Sequence, residues 1–247
     1  MSASVLLLHG WATNHHIFDY VRTKLPSQCN FITPDLPGHG QTALTDTFDP
    51  ETIAQTLAYK LKEPVHVIGW SLGGLIGQYL AAYFPHLVKS LCLTASNSQF
   101  IASEHYEFGA KFASLQKFAQ LFEKDYTRHI TQFLQLQILA APAQKPIVAE
   151  LLPKLTQYGV PVGINNALES LKNNNSQPIL AKITCPSLLI YGQKDGLVPV
   201  QAGLHLNTHI TNSRLLILPR AAHAPFLSHP NEFALALTDF WHNYDYF

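Results

Sequence analysis

Gly69-Trp70-Ser71-Leu72-Gly73-Gly74 matches the pattern G-x-S-x-G where an apolar, β-branched run meets a stretch of helical spacing. A serine at such a strand-to-helix turn is held in a strained backbone, and small residues at 69 and 73 let neighbouring chain approach closely. The turn presents the Ser71 hydroxyl at a helix N-terminus, where backbone N–H groups and the helix dipole receive negative charge. The plain alternative is a glycine-rich turn that only packs helix on strand. A hydroxyl becomes an effective nucleophile when a base takes its proton, so the catalytic reading requires a histidine and a carboxylate. For this turn the chain order is nucleophile, acid, histidine. Asp195, in Tyr191-Gly192-Gln193-Lys194-Asp195-Gly196-Leu197-Val198-Pro199, and His223, in Ala221-Ala222-His223-Ala224-Pro225, satisfy that order. Each follows a predicted strand, at the edge where Ser71 also sits.

Other residues compete for these roles among the 13 histidines. His205 and His209 have i, i+4 spacing but lack the glutamate of H-E-x-x-H, which argues against zinc. His15 and His16 read as helix-start residues, His229 as the start of the last helix and His9 as a structural loop residue. Asp35 reads as a turn former and precedes Ser71. Attack on a carbonyl creates an oxyanion that needs two N–H donors. The Leu72 amide, next after the nucleophile, supplies one, and the Trp11 amide, in the loop after the first strand, supplies the other.

The elements that must position these groups show an α/β rhythm. Short apolar runs at 5–8, 30–33, 65–68, 91–94, 187–191 and 215–218 predict six strands, nearly all apolar as in a parallel sheet covered on both faces. Residues 1–96 and 181–247 thus predict a core domain, and 97–180, with helical spacing only, an inserted helical cap. Within the cap Phe112, Leu115, Phe118, Phe122, Tyr126, Ile130, Phe133 and Leu136 keep three- and four-residue spacing, one apolar helix face. Residues 173–178 read as an exposed loop returning to the sheet.

Composition narrows the class. Sixteen basic and 16 acidic residues cancel, and charged residues are 13% of the 247-residue chain. Such a balance gives no field to attract nucleic acid or an anionic membrane. No apolar run approaches a membrane span, and no basic segment precedes the short apolar stretch at 5–8. Three scattered cysteines support neither a disulfide framework nor a zinc knuckle. The expectation is a cytoplasmic monomer that needs no metal or organic cofactor.

His9-Gly10-Trp11, the turn at 69–74, the segment 191–199 and Ala221-Ala222-His223-Ala224-Pro225-Phe226-Leu227-Ser228-His229-Pro230 together resemble the α/β-hydrolase superfamily over essentially the whole chain. More narrowly they resemble the pimeloyl-acyl-carrier-protein methyl ester esterases, serine carboxylesterases of biotin synthesis. The resemblance implies an α/β-hydrolase fold, a Ser71–Asp195–His223 triad and acyl-carrier protein as carrier of the substrate. It also implies substrate contacts from Trp11 and from the cap segment Phe133, Leu134, Gln135, Leu136 and Gln137. Only four residues precede the first predicted strand, so the family's short N-terminal β segment is expected to be missing.

Family members hold the carrier's phosphate or acidic surface with cap arginines. Here the cap has seven Lys or Arg against six Asp or Glu. On one continuous helix Lys117, Lys124 and Arg128 would fall within about 40° of one another, opposite the apolar stripe. With Lys145 they form the expected carrier dock; an ordinary solvated helix face is the alternative. Two other functions stay open: a generalist hydrolase of small esters, thioesters or C–C bonds, and a ligand-sensing receptor on the same scaffold. Dehalogenase and epoxide-hydrolase chemistry needs a carboxylate where Ser71 stands.

Overall fold

The computed structural model describes residues 3–45 and 47–244. The chain begins with β1 (Ala3–Leu8), then α1 (Asp19–Arg22), β2 (Cys29–Ile32), α2 (Pro50–Lys60), β3 (Val65–Trp70), α3 (Leu72–Tyr83) and β4 (Val88–Thr94). After the cap come β5 (Ser187–Gly192), α8 (Val200–His209), β6 (Ser213–Leu218), α9 (Pro225–Ser228) and α10 (Pro230–His242). The six strands pair in parallel in the order β2-β1-β3-β4-β5-β6. All six predicted strands are present, and the fold is that of an α/β hydrolase.

Alternation of side chains along each strand explains the nearly continuous apolar runs. Leu6, Leu8, Val65, Val67, Leu91, Leu93, Leu189 and Tyr191 pack on one face with Ile53, Leu75 and Leu206 of the covering helices. Val5, Leu7, Ile68, Trp70, Cys92, Leu188 and Ile190 pack on the other with Phe226, Phe233 and Trp241. A strand buried on both faces is apolar at most positions, and polar exceptions such as His66 and Ser90 bond each other across β3 and β4. Helix α2 starts cleanly because Asp49 accepts a hydrogen bond from the Thr52 N–H and Pro50 follows it.

The segment between β4 and β5, expected as the cap and called so below, carries α4 (Phe112–Lys124), α5 (Tyr126–Gln137), α6 (Lys145–Thr156) and α7 (Ile164–Asn173). The expected single helix through 112–136 is interrupted. Asp125 leaves helical geometry (φ −157°, ψ 84°), and its carboxylate accepts from the Arg128 N–H at 3.0 Å, capping α5. Lys117 and Lys124 therefore lie on one helix and Arg128 on the next, and the common phase of the three is lost. The apolar stripe survives the break only in part: Leu115, Phe122, Tyr126 and Ile130 are buried and Phe112 and Phe133 half-buried, but Phe118 and Leu136 are exposed, and in the last turns Leu134 takes the buried place expected for Leu136.

The return segment is largely exposed as expected, with one exception. Ser176 is fully buried, its N–H donates to the Ser98 carbonyl at 2.8 Å, and its hydroxyl donates to Gln78 Oε1 at 2.6 Å. Gln78 in turn donates to the Asn97 carbonyl. The two connections between cap and core are thus tied to each other and to α3.

Candidate active site

Ser71 is the residue between β3 and α3, with φ 54° and ψ −117°. This region is sparsely populated for a side-chain-bearing residue and costs on the order of 1–3 kcal/mol. Neighbouring chain holds it there. The Ser71 N–H donates to the Thr94 carbonyl at 3.0 Å, and the Ser96 hydroxyl donates to the Ser71 carbonyl at 2.8 Å. The two flanking glycines are required by close approach: a Cβ on Gly69 would lie 2.6 Å from the Gly73 carbonyl oxygen, and one on Gly73 would lie 2.1 Å from the Leu8 carbonyl oxygen.

Asp195 and His223 come from the loops after β5 and β6. These loops are joined by the Lys194 N–H to the Ala221 carbonyl at 2.9 Å. His223 Nδ1 donates to Asp195 Oδ2 at 2.8 Å, while Asp195 Oδ1 accepts from the N–H groups of Leu197 (2.8 Å) and Val198 (3.0 Å). The Asp195 side chain is fully buried, so these three bonds replace the water it has lost. With the proton on Nδ1, Nε2 is left as the basic nitrogen. Trp70 Nε1 donates to the His223 carbonyl at 2.7 Å, and Gln137 Oε1 accepts from the His223 N–H at 2.9 Å.

Ser71 and His223 line one small chamber of about 50 Å³ beneath the cap. Its other walls are apolar or aromatic, including Leu115, Phe122, Ile130 and Phe133. Both indole N–H groups on its wall are already engaged, Trp11 Nε1 with the Ile164 carbonyl and Trp70 Nε1 with that of His223. A wider cleft of about 640 Å³ shares Phe118, Phe133, Leu197 and His223 with this chamber and runs between α5 and the loops after β5 and β6. Exposed Leu136 and Leu139 lie along it, beside Lys194 and Arg220.

The expected donors sit where the sequence places them, Trp11 in the loop after β1 and Leu72 at the first position of α3. Among the described residues no acceptor is bonded to either main-chain N–H. Two buried histidines brace the Trp11 loop. The Leu36 N–H donates to His9 Nε2 at 2.9 Å and His9 Nδ1 donates to the Gly10 carbonyl. His39 Nδ1 donates to the Pro37 carbonyl, and its Nε2 accepts from the Ala12 N–H at 3.4 Å. Burial, the largest cause, pushes His9 down to about 3 and His39 down to about 4, so both are neutral near pH 7.

The cap segment 133–137 is divided by the helix it forms. Phe133 faces both cavities; Leu136 and Gln137 line the wider cleft. Leu134 is fully buried in the core, and Gln135 lines a separate groove with Lys145, Ile138 and Val148. Lys117, Lys124, Arg128 and Lys145 are all exposed. Trp70 and Gln137 as holders of His223, and Tyr126, whose hydroxyl donates to the Ala12 carbonyl at 2.8 Å, escape sequence reasoning. Their partners are distant in the chain; the aromatic residue directly before Ser71 is the one local signal.

A profile of the alpha/beta hydrolase fold family matches residues 3–230. Pimeloyl-acyl-carrier-protein methyl ester esterase of Neisseria meningitidis serogroup C is 42% identical over 236 residues, 96% of this chain and 92% of that one. The protein of the same name from Chromobacterium violaceum is 35% identical over 95% of this chain and 92% of its own. Among solved structures, an esterase from Exiguobacterium antarcticum superposes with a TM-score of 0.85 at 23% identity, covering 97% of this chain and 91% of the other. Among the described residues no helix is long and apolar enough to cross a membrane. The chain is a carboxylic ester hydrolase of the α/β-hydrolase family and belongs, within it, to the pimeloyl-acyl-carrier-protein methyl ester esterases.

Proposed function

We propose that this enzyme hydrolyses the methyl ester of a pimeloyl group carried on acyl-carrier protein, a step of biotin synthesis, through a Ser71–His223–Asp195 triad. The observation that carries the reading is the Asp195–His223 bond joined to a left-handed serine on the wall of the same chamber. His223 Nε2 takes the Ser71 proton as Oγ attacks the ester carbonyl, and Asp195 stabilises the imidazolium. The Trp11 and Leu72 amides receive the oxyanion, a contribution of about 10²–10³ in rate per donor. Collapse of the tetrahedral adduct breaks the C–O bond to methoxide, which leaves as methanol with the proton from His223. Water then adds to the acyl-enzyme by the same route and releases the carboxylate and free Ser71.

The relatives' names supply the carrier, and two cavities that share Phe118, Phe133, Leu197 and His223 suit a tethered chain. The ester carbonyl sits in the small chamber, and the polymethylene chain runs out through the wider cleft past Phe133, Leu136 and Leu139. The exposed cations Lys117, Lys124, Arg128 and Lys145 remain the dock. The helix break divides them, and Arg128 on α5 with Lys145, which lines the groove between α5 and α6, forms its centre. The test compares turnover of the carrier-linked methyl ester with that of a free short ester in Arg128→Glu/Lys145→Glu. KM should rise about tenfold or more for the carrier-linked ester only, the loss of two charge contacts. An equal change on both substrates, or no preference of the unsubstituted enzyme for the carrier-linked ester, would leave a generalist esterase.

A further inference from the structure

Helix α5 touches the catalytic apparatus at both ends. At its start the Tyr126 hydroxyl bonds the Ala12 carbonyl, one residue beyond the Trp11 amide. At its end the Gln137 side chain bonds the His223 N–H. Eleven residue steps separate them, about 17 Å of rigid helix. The cap thus spans from the oxyanion loop to the loop of the base.

The Gln137 contact is the more consequential. His223 has two main-chain polar groups, and two side chains from different parts of the chain hold them: Trp70 Nε1–H on the carbonyl and Gln137 Oε1 on the N–H. Gln137 is 6% exposed and His223 5%, so water is poorly placed to replace either partner. The carboxamide orientation follows from its neighbours. The oxygen must face the N–H donor of His223, and Nε2 donates to the Phe133 carbonyl at 3.0 Å. Both ends of the group are committed within the protein.

We propose that Gln137 is a positioning residue for His223, setting the place of the imidazole through the main chain, in addition to lining the substrate cleft. The proposal rests on the triad reading. Displacing a base by about 1 Å can cost on the order of 10²-fold in rate, so a bond that fixes the loop carrying it acts on kcat.

The experiment is steady-state kinetics on a small soluble ester across pH, with Gln137→Leu and Gln137→Glu. Gln137→Leu removes the acceptor and should lower kcat about 10- to 100-fold with KM changed by no more than about twofold. Gln137→Glu keeps an oxygen facing the His223 N–H. It should recover a large part of the kcat lost in Gln137→Leu, short of the full value because its second oxygen meets the Phe133 carbonyl where the amide donated. A rise in KM at unchanged kcat in Gln137→Leu, or a Gln137→Glu enzyme as impaired as Gln137→Leu at every pH, would overturn the proposal. Should Gln137→Leu fail to fold by circular dichroism, Gln137→Glu decides alone: kcat within about tenfold of the unsubstituted enzyme at unchanged KM supports the positioning role, and a rise in KM at unchanged kcat refutes it. Ester turnover surviving in Ser71→Ala would instead refute the triad, a distinct outcome.

Discussion

Acidification from pH 7 to pH 5 should destabilise the protein through two histidines that never contact substrate. His9 and His39 each use one ring nitrogen to donate to a carbonyl and the other to accept from a main-chain N–H. A protonated ring would set N–H against N–H at Leu36 or Ala12. With folded-state values of about 3 and about 4, both stay neutral at pH 5 in the native protein. In the unfolded chain each titrates near its ordinary value of about 6.5. The unfolded state therefore binds more protons between these limits, and stability falls as pH falls. At pH 5 the loss is about 2 kcal/mol for each histidine, about 4 kcal/mol for both, and it depends only on the native values lying below 5. Urea unfolding at pH 7, 6 and 5 measures it; these two rings contribute a slope approaching about 2.7 kcal/mol per pH unit at the acid end, and His66, which burial pushes down to about 4, adds to the total in the same direction. His39→Gln should remove about half of that slope. Equal stability at pH 7 and pH 5 would refute the neutral, two-bond assignment of these rings.

Two further outcomes follow from the site itself. Asp195→Asn keeps the volume but removes the carboxylate that fixes the Nδ1–H tautomer, and kcat should fall by about 10⁴ in single-turnover assays; a loss below tenfold would exclude a triad role. Gly73→Ala places a Cβ 2.1 Å from the Leu8 carbonyl oxygen, so thermal unfolding should reveal a loss of at least about 3 kcal/mol together with activity. An active variant of unaltered melting temperature would contradict that close approach.

The parallel sheet was legible because its strands are buried on both faces and end in turn residues that double as chemistry: His9-Gly10, Gly69-Trp70-Ser71 and Gly192 before Asp195. Local sequence carries such information. The break at Asp125 was harder, since the apolar stripe continues through it and only the preference of aspartate for a helix N-cap signals it. Ser176 illustrates the opposite limit: it stands in a polar run that reads as exposed, yet it is buried by bonds to Ser98 and Gln78, almost eighty and a hundred residues earlier in the chain. The same distance in sequence hid the bonds of Trp70 and Gln137 to His223. Strand and turn are short-range properties, whereas the support of a catalytic group is assembled from several elements at once.

The chamber beneath the cap treats substrate and product differently. An ester entering it is neutral, and the acid that leaves the serine is an anion near pH 7. Apart from Ser71, His223 and the Trp11 and Leu72 amides, the walls present no unengaged polar group to solvate that charge. Hydrolysis thus converts a guest suited to the chamber into one the chamber expels, and the same walls discourage its return. The expected consequence is weak inhibition by the carboxylate product beside the neutral ester.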